Sequence, residues 1–211
     1  HRHVEALRRS GIAVEGGHDG YRLPADADPV VPSLVAPRLR PPLAGPGVWL
    51  AETGATNDEA VARARAGAPE GLVVGADRQR AGRGRRGRPW LAAAGHGLLV
   101  SVLLRPRVPP VEAGLLPIVA AVGVAEALGP GARIVWPNDI LLGGRKVAGV
   151  LCEMSADQER VGWAVAGIGV NVRSAPALDD ARWEPGALSD AGAPPARADL
   201  LVGLLDALGR H

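Results

Sequence analysis

The spacing of apolar and polar residues predicts a protein with more strands than helices. Seven segments carry the short apolar or alternating runs that are typical of strands. They are VWLAETG (48–54), GLVVGAD (71–77), GLLVSVLL (97–104), RIVW (133–136), DILL (139–142), KVAGVLCEM (146–154) and RVGWAVAGIGVNV (160–172). The sequence GGR at 143–145 predicts a tight turn between two of them.

Three segments predict helices, and they lie at 56–67, 111–129 and 195–210. In the first, Thr56 and Glu59 have the spacing of a capping box, and Gly67 is a suitable stop. Because strands outnumber helices and several strands are adjacent in sequence, we expect an α+β fold. Its mixed or antiparallel sheet would be packed with helices.

The first 46 residues differ in pattern from the rest. Residues 1–23 predict a short helix that stops at Gly11, followed by two strands around 12–15 and 21–23. A helix and hairpin of this kind end a winged-helix DNA reader, and a small structural appendage is an equal alternative. Residues 24–46 contain seven prolines and predict a linker.

Composition narrows the class of protein. An apolar fraction of 47% in 211 residues is ample for a core, and a net charge of +2 creates no global field for a polyanionic partner. A single cysteine, Cys152, excludes an internal disulfide framework and fits a reducing compartment. The apolar stretch 115–125 has about half of the ~20 residues that a membrane helix needs. We therefore expect a soluble, cytoplasmic protein that does not engage a membrane.

The stretch DRQRAGRGRRGRPW, residues 77–90, is the strongest local signal. Its arginines and glycines alternate closely: Gly82, Arg83, Gly84, Arg85, Arg86, Gly87 and Arg88. Guanidinium groups bind phosphate or carboxylate, and glycine lets a backbone approach a ligand closely. Trp90 offers an aromatic face for a base. Three interpretations of this stretch stay open: a phosphate-binding loop, an RGG-like nucleic-acid segment, and a solvated basic loop that binds nothing.

Rare residue types cluster in four short segments. Lys146 is the only lysine among 24 lysine and arginine residues, and Arg and Lys differ in shape and hydrogen bonding. The three asparagines, the two threonines and one of two glutamines join it in ETGATND, DRQRAGRGRRGRPW, WPNDILLGGRKVAG and GIGVNV. A turn, a helix cap or a surface cation would explain any one of them. Their agreement in four segments predicts a polar site.

These segments, in their order and spacing, resemble the catalytic domain of biotin protein ligases. That family's pattern is close to [ST]-T-N, GRGRxGRxW, KWPND, RKxAGxL and GxGxN. This chain has ATN (55–57), GRGRRGRPW (82–90), VWPND (135–139), RKVAGVL (145–151) and GIGVN (167–171). The resemblance covers about residues 48–205. It implies a class II synthetase-like biotin/lipoate ligase fold for 47–211, a partial winged-helix remnant at 1–23, and the absence of the β-barrel that usually follows.

The resemblance also implies a reaction. Such ligases join biotin to ATP, which arrives with Mg²⁺, and form biotinyl-5′-AMP and pyrophosphate. They then transfer biotin to a lysine of a biotin carboxyl carrier protein or domain. A homodimer would be compatible with the family, whereas DNA binding, membrane binding and a resident metal site are not expected. Two alternatives stay open: a biotin-responsive DNA-binding repressor, and a lipoyl ligase of the same fold.

The family's functional residues can be carried over position by position. The resemblance implies Lys146 and Arg85 as catalytic residues. It implies biotin binding by Thr56, Asn57, Gln79, Gly82, Arg83, Lys146 and Gly149. It implies nucleotide binding by Arg85, Arg86, Arg88, Trp90, Asn138, Asp139 and Asn171.

This reaction gives a physical reason for a lysine, and not an arginine, at position 146. The first step brings the biotin carboxylate against an α-phosphate that is also negative, and their repulsion amounts to several kcal/mol in a dry site. A compact ammonium between the two anions removes this repulsion, and Lys146 suits that position better than a planar guanidinium. Two residues depart from the family pattern. Ala55 replaces Ser, at a cost of about 0.5–1.5 kcal/mol for one ureido hydrogen bond, and Val135 replaces Lys.

Overall fold

The computed structural model describes residues 2–9, 12, 14–24, 27–177 and 181–211. The helices are α1 Arg2–Arg9, α2 Pro32–Val35, α3 Thr56–Arg65, α4 Leu116–Leu128 and α5 Arg197–Leu208. The strands are β1 Glu15–Gly17, β2 Gly20–Arg22, β3 Gly47–Thr53, β4 Val73–Gln79, β5 Gly97–Leu104, β6 Ala132–Val135, β7 Asp139–Leu142, β8 Arg145–Ala156 and β9 Val161–Asn171. Short 3₁₀ turns lie at Ala36–Arg38, Arg85–Gly87, Pro110–Leu115 and Leu188–Ala191.

Seven strands form one mixed sheet in the order β3-β4-β5-β9-β8-β7-β6. Only β3 and β4 are parallel, and every other neighbouring pair is antiparallel. The predicted glycine turn joins β7 to β8, with Gly143 at φ 58° and Gly144 at φ 82°. Positive φ at both central residues suits the twist of a two-residue hairpin. The predicted α+β fold with a mixed sheet is confirmed.

The central strands have two different faces. One face packs against α4 and α5, and the contacting side chains include Ala166, Ile168 and Val170 of β9 with Ala120, Val124 and Leu204 of the helices. On the opposite face Val165 packs with Leu103 and with Ala60 of α3. Because side chains alternate along a strand, this opposite face continues through Gly167 and Gly169. The glycines leave that part of the sheet uncovered by side chains of its own.

The start of α3 differs from the prediction. Its N-cap residue is Ala55, and no side chain in the part of the chain that the structure describes caps the helix. The Thr56 hydroxyl donates instead to Gln79 Oε1 at 3.0 Å, and Glu59 accepts from the Thr53 hydroxyl at 3.3 Å. The predicted capping box is therefore wrong, because both of its side chains have partners outside the helix. The predicted stop at Gly67 is confirmed by its φ of +86°.

The proline-rich stretch predicted as a linker packs on the main core. Val30, Val35 and Leu43 are almost completely buried there. Asp28 lies against Arg197, whose backbone N donates to Asp28 Oδ1 at 3.0 Å, and the Arg197 guanidinium also donates to Asp77 Oδ1 at 2.7 Å. Proline removes periodicity from the sequence but does not prevent single apolar side chains from entering a core.

The amino-terminal unit contains the predicted helix and hairpin. Strands β1 and β2 are antiparallel, with Gly17 opposite Gly20. Strand β1 starts at Glu15, later than the strand that the sequence predicts around 12–15. The Arg8 guanidinium joins the helix to the hairpin by donating to the Val14 carbonyl at 2.8 Å. The predicted stop, Gly11, lies outside the described residues. The assignment of this unit as a winged-helix remnant stays a prediction.

The helical segment Pro110–Leu128 is more apolar than expected. Its 19 residues, with a mean hydropathy of 1.8, match a membrane span by length and composition alone. In this fold the segment lies along α5 and the sheet, where Ala120, Ala121 and Val124 are buried. A core helix of a globular protein meets the same two criteria.

Candidate active site

A cavity of about 1260 Å³ lies on the sheet face that carries α3. It is larger than the ~300–1,000 Å³ that is usual for a ligand pocket. The predicted site residues that line it are Thr56, Asn57, Gln79, Arg83, Arg85, Arg86, Arg88, Trp90, Asn138, Asp139, Lys146, Gly149 and Asn171. Gly82 is not among the lining residues; it lies in the stem of the arginine-rich loop, where its carbonyl accepts from Trp90 N at 2.9 Å.

Glycines form the floor of this cavity. A Cβ at Gly169 would overlap the Trp90 indole, and a Cβ at Gly149 would lie 3.1 Å from the same ring. A Cβ at Gly167 would overlap the Asn57 amide. The ring and the amide thus rest directly on the backbone of β8 and β9. Any larger residue at these positions would lift them into the space of the cavity.

Lys146 lies in the cavity between a carboxylate and an aromatic ring. Its Nζ is 2.6 Å from Asp139 Oδ1 and 5.6 Å from the centre of the Trp90 ring. The Lys146 side chain is 29% exposed and that of Asp139 is 15% exposed, so both are partly shielded from water. Asp139 is the one acidic residue among the described residues that line the cavity. The ammonium is held in a fixed position, yet it can still reach a ligand.

A buried hydrogen-bond network joins α3 to the sheet at one end of the cavity. Gln79 Oε1 accepts from the backbone N and the hydroxyl of Thr56, at 2.7 and 3.0 Å. Ser101 Oγ lies 2.8 Å from Thr56 Oγ1 and 2.6 Å from Asn57 Oδ1, and its single proton can go to either. The Asn57 amide donates to Glu153 at 2.6 Å. Thr56 and Asn57 are therefore held rigidly, with most of their polar atoms already paired.

The arginine-rich loop has a closed stem and an open tip. Trp90 N donates to the Gly82 carbonyl at 2.9 Å, and Gly84 N donates to the Arg88 carbonyl at 2.7 Å, so 82–84 and 88–90 form the stem. The tip is the 3₁₀ turn at 85–87, where Arg86 has a φ of 57°, which is unusual for a residue other than glycine.

The four arginines of the loop differ in their partners. Arg83 makes a two-pronged salt bridge to Asp58, at 2.8 and 2.5 Å. This contact lowers the pKa of the Asp58 carboxyl and raises that of the Arg83 guanidinium, chiefly through the hydrogen bond between them. Arg85, Arg86 and Arg88 have no ion pair with any carboxylate in the part of the chain that the structure describes. They are available for an anionic ligand.

Two predicted nucleotide contacts are partly engaged with the backbone. The buried Asn138 amide donates to the Val150 carbonyl at 2.8 Å. The Asn171 amide donates to the Gly186 carbonyl at 3.0 Å, and its buried Oδ1 has no partner among the described residues. Asn138 therefore fixes strand β8, whereas the Asn171 oxygen can accept a hydrogen bond from a ligand.

The structure adds cavity residues that the sequence reasoning missed. Arg182 lies 5.3 Å from the centre of the Trp183 ring, and both line the cavity together with Trp136. Nothing in the pattern around 181–183 indicated this. Ser101 could have been found, because it is the single polar residue inside the apolar segment GLLVSVLL.

The family model described as the biotin/lipoate A/B protein ligase family matches residues 56–171. The bifunctional ligase/repressor BirA of Bacillus subtilis is 38% identical over 181 residues, which cover 83% of this chain and 56% of that protein. The biotin–[acetyl-CoA-carboxylase] ligase of Paracoccus denitrificans is 44% identical over 144 residues, which cover 65% of this chain and 58% of that protein. The chain thus spans little more than half the length of these relatives.

A solved structure has the same fold. It is the biotin protein ligase from Aquifex aeolicus in complex with biotin and ATP, with a TM-score of 0.64 and 31% sequence identity. The similarity covers 78% of this chain and 68% of that one.

Proposed function

Since this chain belongs to the biotin/lipoate A/B protein ligase family, we propose that it is an ATP-dependent biotin protein ligase. The reaction joins the biotin carboxylate to the α-phosphate of ATP, with pyrophosphate as the leaving group. The biotinyl group then passes from AMP to the amine of a lysine on a carrier domain. The relatives named above are ligases, and the Aquifex aeolicus structure holds both biotin and ATP.

One observation carries this proposal most directly. The only lysine of the chain enters a cavity that is also lined by Arg85, Arg86 and Arg88, which have no carboxylate partner among the described residues. The cavity is large, and it concentrates positive charge where two anions must meet. A site for a single neutral ligand would need neither property.

The position of Lys146 suits the adenylation step. Its ammonium can contact the carboxylate and the α-phosphate together, which lowers their repulsion and stabilises charge that develops at phosphorus. Asp139, 2.6 Å away, holds the ammonium in place and fixes its direction. Arg85, Arg86 and Arg88 then supply guanidinium groups for the remaining phosphate oxygens.

The glycine floor carries the Trp90 ring. Gly149 and Gly169 leave room above the sheet for this indole, which forms an apolar wall of the cavity. The Thr56 and Gln79 groups at the end of the cavity are fixed in place and can orient a ureido ring. The Asn171 Oδ1 atom, which no described residue contacts by a hydrogen bond, offers an acceptor for the nucleotide. These roles stay predictions that rest on position.

Mg²⁺ would accompany the nucleotide and neutralise phosphate charge. Among the described residues no cluster of three His, Cys, Asp or Glu side chains could hold a metal ion, and Asp139 is the acidic group at the cavity. This donor set fits an ion that is bound mainly by phosphate oxygens and water.

The partners of the enzyme follow from the reaction. A carrier protein or domain must present its lysine at the mouth of the cavity. Cytoplasmic action, assembly as a homodimer and the absence of DNA or membrane binding stay predictions. A salt-sensitive, specific DNA affinity would instead support the repressor function that the Bacillus subtilis relative's name includes.

The decisive experiment has two steps. Biotin-dependent exchange of labelled pyrophosphate into ATP measures adenylation, and transfer of biotin to a purified carrier domain measures the second step. Competition with lipoate in both assays separates the two ligase types. Preferred use of lipoate would replace the proposed substrate, and inactivity in both assays with a folded protein would contradict the proposal.

A further inference from the structure

The salt bridge between Arg83 and Asp58 joins the arginine-rich loop to helix α3. Asp58 lies in the first turn of α3, directly after Asn57, and accepts both prongs of the Arg83 guanidinium. Glu153 of β8 lies 3.8 Å from the same guanidinium and also binds the Asn57 amide. Arg83 therefore lies between two carboxylates that belong to the rigid part of the fold.

The position of Arg83 in the loop indicates that its salt bridge holds the loop in place. Arg83 is in the stem, where its backbone pairs with Pro89, whereas the other three arginines lie in or next to the tip. The carboxylates already satisfy the Arg83 guanidinium, and a ligand anion would have to displace them. The tip arginines have no such competitor among the described residues.

We propose that Asp58 is a positioning residue, which fixes the stem of the loop on α3 through Arg83 so that Arg85, Arg86 and Arg88 face the ligand. Arg83 is then an anchor and its side chain is not a ligand contact. The family resemblance placed Arg83 among the biotin-binding residues, and the geometry instead gives its side chain a partner inside the protein. The inference rests on the proposed ligase function, because the orientation of the tip matters only where an anion binds.

The test compares Asp58→Asn with Arg83→Gln and with the double variant. An anchor requires both members, so all three variants should raise KM for ATP in biotin-dependent pyrophosphate exchange by about tenfold, with kcat changed less than about threefold. The double variant should be no worse than either single one. If Arg83 binds the ligand directly, Asp58→Asn would free it. KM would then stay unchanged or fall for Asp58→Asn and rise only for Arg83→Gln, which would overturn the proposal.

Asp199→Asn is the matched control. It removes a salt bridge to Arg38 with similar side-chain exposure, far from the cavity, at 2.7 Å in the parental protein. A lowered Tm in both Asp58→Asn and Asp199→Asn, with KM unchanged in both, would reduce the Asp58 pair to a stabilising contact and overturn the positioning role.

Limited digestion with trypsin tests the anchor without any activity. Release of the stem should speed cleavage after Arg85 and Arg86 severalfold in Asp58→Asn and Arg83→Gln, with no change in Asp199→Asn. Equal cleavage rates in all variants would contradict the anchor. A parental protein without exchange activity but with this cleavage pattern would show that the ligase proposal had failed and the anchor had not.

Discussion

Leu141 of β7 pairs with Lys146 of β8, although the regular pairing that starts at Asp139 and Gly149 would place Val147 opposite it. The extra residue makes a β-bulge. In an unbroken ladder Lys146 would point to the face that holds the core, because side chains alternate. With the bulge, Val147 is buried in the core, and Lys146 shares a face with Asp139. The bulge therefore brings the ammonium into the cavity.

The first prediction concerns Lys146→Arg. The variant keeps the charge but replaces a compact donor by a planar fork, so biotin adenylation should fall by about 10²-fold or more. Transfer from pre-made biotinyl-AMP should suffer less, because the two anions have already been joined. Pyrophosphate exchange and single-turnover transfer measure the two steps separately. Near-parental adenylation would remove Lys146 from the proposed role, and equal loss in both steps would indicate a general defect in folding or binding.

A second prediction concerns the glycine floor. Gly169→Ala introduces a Cβ that overlaps the Trp90 ring, whereas Gly162→Ala on the same strand meets only the Ser155 carbonyl at 3.6 Å. We expect Gly169→Ala to lose activity at least tenfold and to cost about 1–3 kcal/mol in stability through overpacking. Gly162→Ala should keep the parental activity and stability. Activity and urea unfolding of the two variants provide the check, and matching behaviour would show that Trp90 can move at little cost.

Trypsin also tests ligand binding at the loop tip. Arg85, Arg86 and Arg88 repel one another and lack a described carboxylate partner, so the tip should be cleaved readily in the free protein. Biotin and ATP together should protect it, since the adenylate supplies the missing anion. Mass spectrometry of the cleavage sites measures this protection. An identical cleavage rate with and without both ligands would show that the tip does not close over them.

The thiol of Cys152 leads to a prediction about pH. Burial raises the pKa of Cys152 to about 12 from 9.0. The unfolded chain then loses this proton first, so the stability difference is absent below pH 9 and grows as the pH rises toward 12. Relative to Cys152→Ala, the parental protein should lose on the order of 1 kcal/mol between pH 8 and pH 10. Urea unfolding at both pH values measures it, and parallel curves would mean that the thiol is accessible to water.

The sheet and many of the residues that line the cavity could be predicted because their signals are local in the sequence. Strands β5 and β9 have the short apolar runs that are typical of buried strands, and the two glycines at 143–144 suit a tight hairpin turn. Groups that depend on distant partners could not be placed in this way. Local spacing predicts a cap at Thr56, whereas its partner Gln79 is 23 residues away, and the pairing of Arg83 with Asp58 depends on how the loop folds back on α3.

The contact of Asp28 with Arg197 determines where a fragment of this chain must begin if it is to fold. The Arg197 side chain is only 4% exposed, and without Asp28 its charge would lack one of the two carboxylates beside it. Breaking a buried pair of this kind costs about 3–5 kcal/mol. An expression clone that starts at residue 47, where the sequence pattern places the domain boundary, should therefore be poorly soluble. One that starts before Asp28 should fold independently of the helix and hairpin that precede it.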